Sequence, residues 1–207
     1  MTTRFLLVRH GQTAWNKDVR FRGTTDLPLS ELGFAQAQRV DDWLRDESIR
    51  AIYSSPLKRA VQTAQPLAEA LCMPIQFRHG LISADYGEWQ GLTPQEVSER
   101  WPDLYRMWQQ SPDQVAFPGG ESLSIVLDRA VAMLDELSQE HPDQTVALFS
   151  HEIVCKALML HMLGMELSAY WRMPQDNACI NAFSYSPRHR SLIYLNDTCH
   201  LKGLPEK

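Results

Sequence analysis

The stretch Phe5-Leu6-Leu7-Val8-Arg9-His10-Gly11 sets the architecture of this chain. Its apolar run is too short for a helix and suits a buried strand that the glycine stops. Two side chains that handle anions, Arg9 and His10, stand where the strand ends. The pattern recurs downstream. Thr145 to Phe149 is another apolar run and ends at Ser150-His151. Ala51-Ile52-Tyr53 is a third, with Arg59 shortly after it.

Helical patterns lie between these strands. Ser30 reads as an N-cap before a buried stripe of Gly33, Ala37, Val40 and Leu44. Ser55-Pro56 reads as N-cap and first helical residue of a helix running to about Leu71. Glu121 to Glu140 is a clear helix, and another runs from about Glu152 to Leu163, stopped by Gly164. Pro74 to Phe77 reads as a further strand. Ala182 to Tyr185 and Ser191 to Leu195 alternate as two late strands around Ser186-Pro187. Alternating strands and helices imply an α/β three-layer sandwich, with a mainly parallel central sheet and helices on both faces. Ligands of such sheets sit at the carboxyl ends of the strands, where Arg9, His10, Arg59 and His151 converge.

With 207 residues, the chain suits one domain, 1–207. Residues 81–120 differ in texture, being rich in Trp, Gly, Pro and acidic residues. Trp101, Leu104, Tyr105 and Trp108 fall on one helical face there. That helix reads equally as core packing or as a cap over a site.

Apolar residues make up 44% and charged residues 22%, which argues for a globular chain. Twenty Lys and Arg against 25 Asp and Glu give a net charge of −5, so no basic field marks a nucleic-acid binder. Any anion must therefore be held by a local cluster. The apolar run at the start is too short for a signal peptide, and the stretch Ala157 to Met165 is too short to span a membrane. Cys72, Cys155, Cys179 and Cys199 form no C-x-x-C pair and read as reduced thiols of a cytoplasmic protein. Two arginines in one pocket need an anion, and their planar forks suit phosphate. Arg59 also falls in the first turn of a helix, where free N–H groups favour one.

Leu7-Val8-Arg9-His10-Gly11-Gln12-Thr13-Ala14-Trp15-Asn16 resembles the signature of the histidine phosphatase superfamily, which includes the cofactor-dependent phosphoglycerate mutases. The resemblance continues in order through Arg22-Gly23, Ser54-Ser55-Pro56-Leu57-Lys58-Arg59-Ala60, Tyr86-Gly87-Glu88-Trp89-Gln90-Gly91, Pro118-Gly119-Gly120-Glu121-Ser122 and Ser150-His151. It implies that His10 is the nucleophile that takes the phosphoryl group. It implies that Arg9, Arg59 and His151 bind the phosphoryl oxygens, with Asn16 as a neutral donor beside them. Arg22 and Gly23 stand where the family contacts substrate. Most members carry Gln where Arg22 stands; the extra cation reads either as a contact for a second anionic group or as an outward surface residue. No metal and no cofactor are implied.

The chain departs from the family at the proton donor. Many members carry a Glu where this chain has Ser83, whose hydroxyl is a poor acid at neutral pH. Two carboxylates are candidates for the role. Asp85 lies two residues on, and Glu152 directly follows His151. Each also has a plainer reading, Asp85 as a loop carboxylate and Glu152 as a helix-start acid. Glu152 is slightly favoured.

The leading expectation is a phosphomonoesterase that acts on a small cytosolic phosphate ester and releases inorganic phosphate. No nucleic-acid or membrane partner is implied. The alternatives are mutase-type phosphoryl transfer and a phosphate-ester-binding module with a degraded acid site. The compact 81–120 segment favours the phosphatase, since the family's mutases typically carry longer insertions.

Overall fold

The structure, a computed structural model, describes residues 2–17 and 19–205. The chain begins with β1 (Thr3–Arg9), a single-turn α1 (Ala14–Lys17) and α2 (Glu31–Leu44). It continues through β2 (Ile49–Ser54), α3 (Lys58–Ala70) and β3 (Ile75–Phe77). Two short helices follow, α4 (Pro94–Arg100) and α5 (Pro102–Gln110), then the long α6 (Leu123–Glu140). The last part comprises β4 (Thr145–Ser150), α7 (Glu152–Met162), β5 (Ile180–Ser186) and β6 (His189–Asp197).

The six strands form one sheet in the order β3-β2-β4-β1-β5-β6. β1, β2, β3 and β4 pair in parallel, whereas β5 and β6 join antiparallel. Central β1 shows why the sheet needs covering on both sides. Phe5, Leu6, Leu7 and Val8 are all fully buried. Successive strand side chains point to opposite faces. Phe5 and Leu7 accordingly pack with α6, α7 and the 81–120 segment, while Leu6 and Val8 pack with α2 and α3. Each buried side chain of this kind contributes roughly 1.5–3 kcal/mol. The result is the expected α/β sandwich with helices on both faces.

Local signals place most elements. The Ser30 hydroxyl caps α2 by accepting from the Gly33 N–H at 3.1 Å. Two expected starts shift. α3 begins at Lys58 with Leu57 as N-cap, rather than at Ser55. The Ser55 hydroxyl is engaged elsewhere, at 2.8 Å from the His151 ring and 3.3 Å from the Leu57 N–H. α6 begins after Ser122, because the Glu121 carboxylate is turned to Arg129 and to the Asp85 N–H. α4 is an addition. Its Thr93 and Glu96 form a reciprocal capping box, a signal the sequence carries openly. Among the described residues no helix is long and apolar enough to cross a membrane.

Candidate active site

Strand register brings the two histidines together. Arg9 stands opposite Ser150 in the β1–β4 ladder, so the residues that follow, His10 and His151, emerge side by side. The His10 N–H donates to the Ser150 carbonyl at 2.9 Å, and the two imidazole rings lie 5.2 Å apart. β2 adds the third contribution, with Ser54 opposite Phe149, which sets Ser55 beside His151. Arg59 then enters from the first turn of α3.

His10 is almost fully buried. Its Nδ1 lies 2.7 Å from the Gly11 carbonyl, which can only accept, so Nδ1 carries the proton and Nε2 keeps its lone pair. Burial first, and then Arg59, Arg9 and Arg22, holds its pKa well below the usual 6.5. The ring is therefore neutral at neutral pH, with the lone pair of Nε2 free. His151 is neutral for the same reasons, burial foremost and Arg59 next. The Arg59 Nε–H donates to its Nδ1 at 3.1 Å, which leaves Nε2–H to donate to Ser55.

Arg59 is fixed by its surroundings. Its Nη1 donates to the Thr25 carbonyl at 2.7 Å and its Nη2 to the Gly23 carbonyl at 2.8 Å. With Nε on His151, two of its five N–H groups remain for a ligand. Gly23 has a left-handed backbone, and a Cβ there would lie 2.0 Å from the Gln90 side-chain oxygen. That geometry aims the Gly23 carbonyl at Arg59. The Arg9 Nη1 donates to the Gln175 carbonyl and its Nη2 lies 3.0 Å from Glu152. Its buried Nε has no hydrogen-bond partner among the described residues.

Glu152 faces the cavity but is tightly paired. Besides Arg9, it holds Lys156 Nζ at 3.0 Å and Arg22 Nη2 at 3.8 Å. Burial alone would raise its pKa, but Arg9, Lys156 and Arg22 outweigh that and hold it at about 2. It is a carboxylate at neutral pH, which corrects the expectation of a ready proton donor there. Arg22 points inward and not to solvent, with Nη1 on the Trp15 carbonyl at 3.3 Å.

The other sequence candidates separate. Ser83 is buried and lines the cavity. Asp85 does not; its Oδ1 accepts from the Gly87 N–H at 2.8 Å, while Glu121 holds its backbone. It behaves as a loop carboxylate, against the expectation of a site acid. The Asn16 side-chain oxygen accepts from the N–H and hydroxyl of Thr13. Asn16 borders a neighbouring polar cavity with Arg9, Arg22 and Glu152, outside the cavity of the two histidines.

The cavity of the two histidines, of about 440 Å³, also has an aromatic wall, in which Tyr105 and Trp108 come from the helical face that the sequence offered as a cap. Tyr86, Tyr105, Trp108, Tyr170 and Trp171 line it beyond the histidines. Buried Lys156 sits 4.6 Å over the Tyr170 ring and 5.2 Å from the Trp171 ring. Lys156 was findable from the sequence as an i,i+4 partner of Glu152. Tyr170 and Trp171 were not, because they lie on a 3₁₀ helix, Leu167–Arg172, too short to show a periodicity in the sequence. Among the described residues no group of three or more His, Cys, Asp or Glu side chains is placed to hold a metal.

Comparison with known proteins gives this geometry a family. The chain is 38% identical over 198 residues to phosphoserine phosphatase 1 of Hydrogenobacter thermophilus, covering 96% of this chain and 94% of that protein. The fold is similar to Bacillus stearothermophilus YhfR, at TM-score 0.92, 28% identity and coverage of 97% and 100%. It is similar as well to mycobacterial glucosyl-3-phosphoglycerate phosphatase Rv2419c, at TM-score 0.86, 27% identity and coverage of 96% and 100%. Residues 5–198 match the histidine phosphatase superfamily (branch 1), and with the paired histidines set among arginines the chain belongs to that family.

Proposed function

We infer that this protein is a phosphomonoesterase of small phosphate esters that works through a phosphohistidine on His10. The observation that carries the reading is the fixed Nδ1–H of His10, which leaves Nε2 as a buried, neutral nucleophile among three arginines. The Nε2 lone pair attacks phosphorus, and the ester oxygen departs with its bonding electrons. Water then attacks the phosphohistidine and returns the electron pair to Nε2. Arg9, Arg59 and Arg22 neutralise the charge that the transferring phosphoryl group spreads over its oxygens. His151 joins them by turning Nε2–H from Ser55 to the phosphoryl group. α5 and the loop before α4 act as a cap, since Tyr105 and Trp108 from α5 and Ser83 and Tyr86 from that loop line the cavity. Free Cys72 and Cys199, both exposed, support a reducing cytoplasmic setting.

The test is phosphate release from a panel of phosphoserine, sugar phosphates, phosphoglycerates and 4-nitrophenyl phosphate. Release by the native chain, lost in His10→Ala with the fold intact by circular dichroism, is the expected result. Phosphoglycerate interconversion without net release would instead favour a mutase. Binding without either would leave only a binding module.

A further inference from the structure

The walls of the cavity and its supply of protons together narrow the alcohol that is released. Trp171 is 49% exposed, yet its Nε1–H donates to the Trp108 carbonyl at 2.8 Å. Its ring also meets those of Trp108 and Tyr170 edge-on, at 5.2 and 4.9 Å. A half-exposed indole held this firmly is a platform for a flat group. Such ring pairs add about 0.5–1.5 kcal/mol beyond area burial.

Protons are scarce in the same space. Among the described residues lining the cavity, Glu152 is the one carboxylate, and it lies 3.0 Å from both Arg9 and Lys156. A carboxylate so paired accepts hydrogen bonds and has no proton to give. Ser83 offers a hydroxyl of alcohol-like acidity. The phenols of Tyr86 and Tyr170 are made weaker acids still by burial, the largest cause for each. An alkoxide leaving group would find no carboxylic acid in the lining, only weaker donors such as the Tyr105 phenol and the N–H groups of His151 and Arg22.

We propose that the preferred substrates are phosphate monoesters of flat, acidic alcohols, aryl phosphates above all, whose ring stacks on Trp171 and whose oxygen leaves as a stable anion. This rests on the phosphomonoesterase reading. In the first step the His10 Nε2–P bond forms as the P–O bond to the leaving group breaks. The electron pair stays on the aryloxide, which takes its proton from solvent after release. In the second step water adds to phosphorus, the P–N bond breaks, and dihydrogen phosphate leaves with both protons of that water. Its ionisation at neutral pH balances the proton that the aryloxide takes up.

The experiment compares kcat/KM for ring-substituted phenyl phosphates with benzyl phosphate, which keeps the ring but releases an alkoxide. Expected is a steep fall with rising leaving-group pKa. Benzyl phosphate should be about 10²-fold or more below 4-nitrophenyl phosphate, in line with the worth of a missing acid. Trp171→Ala should raise KM severalfold more for the aryl esters than for phosphoserine; an equal change in both would count against the ring platform. A flat dependence on leaving-group pKa, or benzyl phosphate and phosphoserine turned over as fast as 4-nitrophenyl phosphate, overturns the proposal while leaving the phosphomonoesterase reading intact. Phosphate release from no ester at all sinks that reading itself.

Discussion

Glu152 is the residue on which the charge balance of the site turns. Arg9, Arg22 and Lys156 would repel one another, and its carboxylate holds them together. Glu152→Gln should tighten binding of inorganic phosphate roughly tenfold, about 1.4 kcal/mol, because one competing negative charge is removed. Equilibrium titration of phosphate checks this; unchanged or weaker binding contradicts it. The same substitution should lower stability by about 1–2 kcal/mol, since three cations lose their partner. The sign with pH follows from a folded pKa of about 2 against an ordinary 4.5. The stabilisation is fully present above the ordinary value and disappears as pH falls through the folded one. Urea unfolding of both proteins should therefore show a gap above pH 5 that closes towards pH 2. For His10, ring ¹⁵N shifts should report the neutral Nδ1–H form at pH 6, and an imidazolium signature at that pH would refute the nucleophile assignment. Ser83→Glu tests the proton argument by gain. It should speed alkyl esters by about 10²-fold or more and leave 4-nitrophenyl phosphate nearly unchanged.

At the level of elements, the turn after β1 is locked onto α2. A Cβ at Gly33 would meet the Gln12 carbonyl oxygen at 2.1 Å, and one at Gly11 would meet the Gly33 carbonyl oxygen at 2.7 Å. In an open helix, Gly→Ala gains about 1 kcal/mol. Here the backbone contact wins, so Gly33→Ala should destabilise by roughly 1–3 kcal/mol and cut turnover by displacing His10. Chemical denaturation alongside steady-state rates checks both effects. Much at this level was readable beforehand, because local patterns caused it. Ser30 caps a helix wherever such a helix lies, and the β1 run has to be covered on both faces. The errors have a common physical origin. Ser55 resembles an N-cap, but its hydroxyl is claimed by a histidine 96 residues away in the chain. Asp85 has the spacing of a site acid, yet the Gly87 N–H and Glu121 turn it into a loop brace. Trp171 was hidden for the same reason: it acquires meaning only from the Trp108 carbonyl, 63 positions earlier.

Taken whole, the molecule gathers its proposed anion site from separate parts of the chain. Arg9 and His10 come from the end of β1, Arg59 from α3, and His151 and Glu152 from the junction of β4 and α7. A ligand that bridges them stabilises the entire fold by mass action. Phosphate at about 100 times its dissociation constant should add about 2.7 kcal/mol. For a chain of this size that is roughly 5–10 °C in Tm. Differential scanning calorimetry against sodium chloride of equal ionic strength measures it, and equal shifts from both salts would show no specific site.

The sheet order β3-β2-β4-β1-β5-β6 carries a consequence for the order of synthesis. β1 leaves the ribosome first but lies between β4 and β5, which are translated more than 130 residues later. At synthesis rates of about 5–20 residues per second, β1 waits about 7–27 s for β4 and longer for β5. During that interval a strand of four bulky apolar residues has no native partner. A nascent chain halted after β3 therefore carries His10 without the ladder that orients it, and the two histidines meet only once β4 has been made.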